Sequence, residues 1–210
     1  MKRNSALFIT KAAVIAALYF ALSMLSNAVG LCSGVIQCRI SEALTILPAF
    51  LVEAIPGLAI GCLLTNIITS ATVWDIVFGT AATLIGAVGT WLIGRLVRRK
   101  ALSSPVNTET ASGILRIVIL TAMFAFPPIL ANALIIPPIL KFALGVPDAY
   151  WFIFATVTAG EIIACGIFGG ILLAALLSNP YTRSLVLGQK NTSISASEAT
   201  VSEQLPEADA

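Results

Sequence analysis

Apolar runs long enough to cross a lipid bilayer, separated by brief charged punctuation, leave this chain few ways to fold. Residues 7–25, 54–73, 76–94, 114–140 and 149–177 are each nearly free of charge. At 1.5 Å per residue, about 20 helical residues cover the ~30 Å hydrocarbon core. Only 10% of the sequence is charged and mean hydropathy is +0.98, where soluble domains carry roughly a quarter charged residues. Backbone groups in lipid must be satisfied within the segment, so runs of this length become helices. The first run has the charge–apolar order of a signal peptide but is longer than a signal core, and reads as a first helix. The expectation is an all-α membrane protein.

One stretch resists this reading: residues 37–56, QCRISEALTILPAFLVEAIP. It opens with polar Gln37, Arg39, Ser41 and Glu42, runs uncharged over 43–52 with Pro48 inside, and closes on Glu53 and Pro56. Charge parity resolves it. Lys2, Arg3 and Lys11 mark one cytoplasmic end, and Arg95, Arg98, Arg99 and Lys100 should mark another. Three crossings between these clusters would leave the second one outside. A fourth crossing, by the stretch from Glu42 to Glu53, restores agreement, and Arg183 and Lys190 follow two more. The consistent solution is six transmembrane helices with both termini cytoplasmic, the second helix being short and tilted, kinked or shielded. Residues 1–178 form the membrane domain. Residues 179–210, polar and carrying Glu198, Glu203, Glu207 and Asp209, read as a disordered cytoplasmic tail.

The absence of histidine removes the commonest general base and metal ligand. Four cysteines form no C-x-x-C pair. Cys62 and Cys165 read as small hydrophobes in helices, while Cys32 and Cys38 flank an outer loop where a disulfide is one option. No enzyme activity, metal, cofactor or nucleic-acid partner is expected. Ionisable groups inside a membrane are expensive, which singles out Glu161, about 18 Å down the last helix from residue 149. Tyr150, Phe154 and Thr158 share its helical face. Asn132 lies about 12 Å below the outer end of the proline-rich helix, Asn66 lies within the third span, and Asp75 marks an outer turn. Arg39 and Glu42 are assigned to the outer loop. Glu161 reads either as a ligand contact or as a structural ion pair with Arg39. Tyr150 and Trp151 read either as ligand-stacking groups or as interfacial belt residues. Small residues recur at four-residue spacing, as Ala12/Ala16 and Ala13/Ala17 on the first helix, Gly57/Gly61 and Gly166/Gly170, and let helices approach closely.

The motifs Q-C-R-I-S-E-A-L at 37–44, E-A-I-P-G-L-A-I-G-C-L-L-T-N at 53–66, W-D-I-V-F-G-T at 74–80, A-N-A-L-I-I-P at 131–137 and G-E at 160–161 resemble the QueT family. Its members are substrate-binding subunits (S components) of energy-coupling factor transporters in the bacterial cell membrane, associated with queuosine precursors. The resemblance covers roughly residues 5–178. It implies capture of a 7-deazaguanine from outside, with a transmembrane coupling protein and two ATPase subunits supplying energy. No G-x-x-x-x-G-K-[ST] phosphate loop is present in this chain. By the same resemblance Ala12, Ala13, Ala16 and Ala17 would dock on the coupling protein. Glu161 would accept the ring's paired N–H donors, Asn132 would complete the polar edge, and Glu42 or Asp75 would meet a cationic aminomethyl group. The rival reading is a stand-alone proton-coupled secondary transporter using Glu161 as its proton carrier.

The topology is directly testable. With the native cysteines replaced, a single cysteine at Ser103 should react with a membrane-impermeant reagent only after the cells are permeabilised. Labelling in intact cells would reverse the assignment of the 101–113 linker.

Overall fold

The computed structural model describes residues 5–31, 38–69, 72–101, 110–179 and 182, without the side chains of residues 98–101. The acidic tail beyond residue 182, Lys2, Arg3, Cys32 and most of the 101–113 linker lie outside the described residues, and with them the disulfide question and the disorder of the tail. The elements are α1 (Ser5–Ala28), a 3₁₀ helix (Ile40–Ala49), α2 (Ala54–Ile68), α3 (Val73–Ala101), α4 (Ala111–Pro138) and α5 (Tyr150–Glu161). The last continues through a π-helical stretch, Ile162–Phe168, into α6 (Gly169–Ser178). Among the described residues the chain is all helical. Four helices are long and apolar enough to cross a membrane: Ser5–Ala28, Val73–Val97, Ala111–Ala143 and Tyr150–Ser178. Ile40–Ala49 and Ala54–Ile68 are shorter apolar helices.

Close glycine contacts fix how neighbours run. A Cβ on Gly57 would lie 2.7 Å from the Ala12 carbonyl oxygen, and one on Gly61 would lie 2.9 Å from that of Ala16. Residue numbers rise together across this contact, so α1 and α2 are parallel, and the intervening chain returns along the bundle as the 3₁₀ helix. Across α2 and α3 the order reverses: Gly79 abuts Asn66, and Thr83 Oγ1 donates to Cys62 Sγ. It reverses again across α3 and α4, where Gly86 meets Pro128, and Gly89 meets Pro127.

The returning segment is the hub. A 3₁₀ helix rises about 2.0 Å per residue, so its ten residues cover about 20 Å where an α-helix would cover about 15 Å. Side chains three apart eclipse one another, which gives the rod three faces. Ser41 and Leu44 face α1, with Ser23 Oγ donating to Ser41 Oγ at 2.7 Å and Leu44 packed with Ile15, Tyr19 and Leu58. Ile46 and Ala49 join Phe124, Ile117, Leu173 and Leu177. Glu42 and Thr45 face Cys165, which approaches the Glu42 carbonyl and the Thr45 hydroxyl at 3.5 Å each. Glu42 is therefore not a loop residue: it is only 3% exposed. The sequence pattern suggested a short helix that is tilted, kinked or shielded; the segment is a 3₁₀ rod with eight of its ten residues buried by neighbours.

The prolines of α4 are absorbed by a neighbour. Pro128 has no N–H for the Phe124 carbonyl four residues earlier, and Thr90 Oγ1 of α3 donates to that carbonyl instead, at 2.9 Å. At the far end of the rod, a Cβ on Gly94 would fall 2.4 Å from both Cα and O of Ala49. Gly94→Ala should therefore push α3 off the rod and lower stability by about 1–3 kcal/mol, read as a lower unfolding midpoint of the detergent-purified protein. An unchanged midpoint would mean that this contact is slack.

Candidate functional site

A cavity of about 200 Å³ lies between the C-terminal half of α2, the N-terminal half of α3, the later turns of α4, α5 and the start of the rod. At ~30 Å³ per water it has room for one small polar molecule. Arg39, Glu42, Cys62, Asn66, Asp75, Gly79, Thr83, Asn132 and Glu161 supply its polar and small lining, with Ile136, Leu140 and Val157 as its apolar patches.

Each polar wall is built by local structure. Asn66, 1% exposed, accepts from Arg39 Nη1 through Oδ1 at 3.0 Å and donates through Nδ2 to the Asp75 carbonyl at 3.3 Å. It thereby joins the base of the rod, the end of α2 and the first turn of α3. Gly79 is required here because a Cβ would sit 2.9 Å from Asn66 Nδ2. Asp75 lies at the α3 N-terminus, where a carboxylate meets the positive end of the helix dipole. Its N–H donates to Thr72 Oγ1 at 3.4 Å.

Opposite, Glu161 ends the regular part of α5, and the π-helical widening begins at the next residue. Such widenings concentrate at functional sites because they re-aim side chains. Cys165 Sγ, one turn on, donates to Glu161 Oε2 at 3.4 Å. Ligand atoms of Glu42, Glu161 and Cys165 all lie within 4.8 Å of one another. Glu42 Oε1 accepts a short hydrogen bond from the hydroxyl of fully buried Tyr19. Its other oxygen, Oε2, has no hydrogen-bond partner, and neither does Asn132 Nδ2. Two buried polar atoms left unmet around one cavity mark a space shaped for something else, since most such atoms in proteins are paired.

The structure thus brings Glu161, Asn132, Arg39, Glu42 and Asp75 to one cavity, together with Asn66. Tyr150 and Phe154 do not line it. They lie about two and three turns before Glu161 on the same helical stripe, where both meet Trp151 edge-on, Phe154 at 6.0 Å, and Tyr150 also lies 6.3 Å from Phe142. Lys141 is more than a loop charge: its Nζ gathers the carbonyls of Val146, Pro147 and Asp148, the last at 2.7 Å. The alanines separate into two groups. Ala12 and Ala16 are buried against Gly57 and Gly61, so they are internal packing and not a docking face. Ala13 and Ala17 are exposed. Sequence reasoning missed Tyr19, Cys62 and Thr83 as site-building residues, because a lone tyrosine, cysteine or threonine in an apolar helix carries no signal until its partner is placed. Cys165, read as a small hydrophobe, is a hydrogen-bonding neighbour of both carboxylate-bearing segments.

A family model described as QueT transporter matches residues 9–178. The chain belongs to the QueT transporter family. No curated protein and no solved structure matches it. Membership makes the chain a membrane transporter rather than an enzyme, and the matched region contains the whole cavity. In this QueT chain Asn66 is the joint that orients Arg39. Asn66→Leu should cost about 1–3 kcal/mol by leaving buried donors and acceptors unmet, seen as a fall in thermal midpoint; no change would mean that Arg39 is held without it.

Proposed function

We propose that this chain is the S component of an energy-coupling factor transporter, and that its cavity captures a queuosine precursor of the 7-deazaguanine type from outside a bacterial cell for import. The observation that carries this reading is a small polar cavity with unmet buried hydrogen-bonding groups, enclosed in a bundle whose outer surface is apolar. A flat heterocycle rich in donors and acceptors suits such walls, with Glu161 and Asn132 as hydrogen-bonding partners and Val157 and Ile136 against the ring faces. In this reading the rod and α2 also cross the membrane, which gives six crossings with both ends cytoplasmic. The parallel run of α1 and α2 supports this, as does the basic end of α3 lying far along that helix from Asp75. The cavity then sits toward the outer face. Energy comes from a coupling protein and two ATPase subunits, docked along the exposed alanines Ala13 and Ala17.

Direct binding of 7-deazaguanines to the purified chain tests the substrate. Glu161→Gln should weaken that binding by roughly 2–5 kcal/mol, because an amide NH₂ would replace a carboxylate acceptor in a buried site. Unaltered affinity would remove Glu161 from the site. Ala17→Trp should abolish uptake while leaving binding intact; equal loss of both would place the partner elsewhere.

A further inference from the structure

The family resemblance gives Glu161 to a ring edge of the ligand and Glu42 or Asp75 to a cationic arm. The closeness of Glu42 to Glu161 does not fit a division between those two residues. Carboxylate atoms within 4.8 Å of each other meet the same ligand group. We propose that Glu42 and Glu161 together form one subsite for a single positive charge on the ligand, a primary ammonium, with Tyr19 as the residue that positions Glu42. This rests on the cavity being the ligand site.

Three observations converge on it. First, the described cavity lining holds three carboxyl groups, Glu42, Asp75 and Glu161, against one guanidinium, Arg39. Arg39 acts electrostatically on both Glu42 and Glu161, yet it is the one cation in this described lining beside three acids, which leaves more acceptors than the guanidinium can meet. Second, Tyr19 occupies Oε1 of Glu42 and leaves Oε2 unpartnered. Glu42 lies on a rigid rod packed on three sides and is 3% exposed, so this oxygen cannot turn to water. Third, the acceptor geometry suits an ammonium, which carries three donors and no acceptor. One N–H can meet Glu42 Oε2 while another meets Glu161.

The same donors, with Cys165, have the spacing of a metal site. The surroundings favour an organic cation. The Cys165 thiol is already engaged as a donor to Glu161 and lies against the Glu42 carbonyl and Thr45. The cavity also extends to Asn66, Asn132 and Val157, far more wall than a bare ion needs. The ring of the ligand is left to these residues and to Arg39.

Two ligands with one ring decide the matter: 7-aminomethyl-7-deazaguanine, whose arm is an ammonium, and 7-cyano-7-deazaguanine, whose arm is neutral. On the full-length purified chain, calorimetry should show the aminomethyl compound binding roughly 10- to 100-fold more tightly, as charge-assisted bonds do. Glu42→Gln should remove that preference. Tyr19→Phe should weaken binding of the aminomethyl compound several-fold more than binding of the cyano compound, a selective effect that a purely structural role would not produce. Equal affinities in the native protein overturn the proposal, and they do so even if Glu42→Gln fails to fold. If neither compound binds, the 7-deazaguanine reading fails, and benzylamine against benzyl alcohol then tests the subsite by thermal shift. Stabilisation by the amine alone supports it; equal or absent stabilisation overturns it. Stabilisation by Zn²⁺ that requires Cys165 also overturns it, in favour of a metal site.

Discussion

A carboxylate carried into the centre of an apolar bundle must be met by something, and Glu42 sets that demand. Its partner is the hydroxyl of Tyr19, which is itself fully buried. Meeting the demand ties α1 to the rod at the level where Ser23 also bonds Ser41. At Tyr19 itself and one turn before it, Gly61 and Gly57 bring α2 against the same helix. Replacing a buried, hydrogen-bonded acid by a well-packed apolar group often costs nothing or even stabilises.

Much of the architecture was legible in the sequence, because bilayer thickness converts directly into run length. Four of the five long runs fall on α1, α3, α4 and the α5–α6 helix, while the run 54–73 gives only the shorter α2, Ala54–Ile68. Parity of basic clusters also demanded that something return between residues 42 and 53, and a returning segment is there. Its winding was not legible. Over ten residues nothing in the residue pattern separates three residues per turn from 3.6, and Pro48 read as an interruption of an α-helix. The site divided in the same way. Glu161, Asn132 and Asp75 stood out as polar groups in apolar runs, and they do share a cavity. Glu42 was misplaced because Arg39 and Ser41 beside it resemble a loop. The aromatic residues were misplaced by a turn or two, since helical spacing gives a stripe but not a depth.

The two halves of the bundle solve different problems. Where α4 is broken by proline, the freed Phe124 carbonyl is answered by Thr90 from α3, so the irregularity is stabilised by a neighbour and needs no water. Around the cavity, by contrast, Glu42 Oε2 of the rod and Asn132 Nδ2 of α4 are left unanswered.

The three-faced rod carries a consequence for how this sequence can vary. In a membrane helix with one face to lipid, such as α1 with exposed Leu7, Val14 and Leu18, about half the positions can drift among apolar residues at little cost. A triangular prism buried on every side has no neutral positions. Deleting one residue within it turns every later face by about 120°, carrying the Ile46 position out of its apolar pocket and toward the carboxylates. This ten-residue rod therefore leaves little room for change, and insertions or deletions should accumulate elsewhere first.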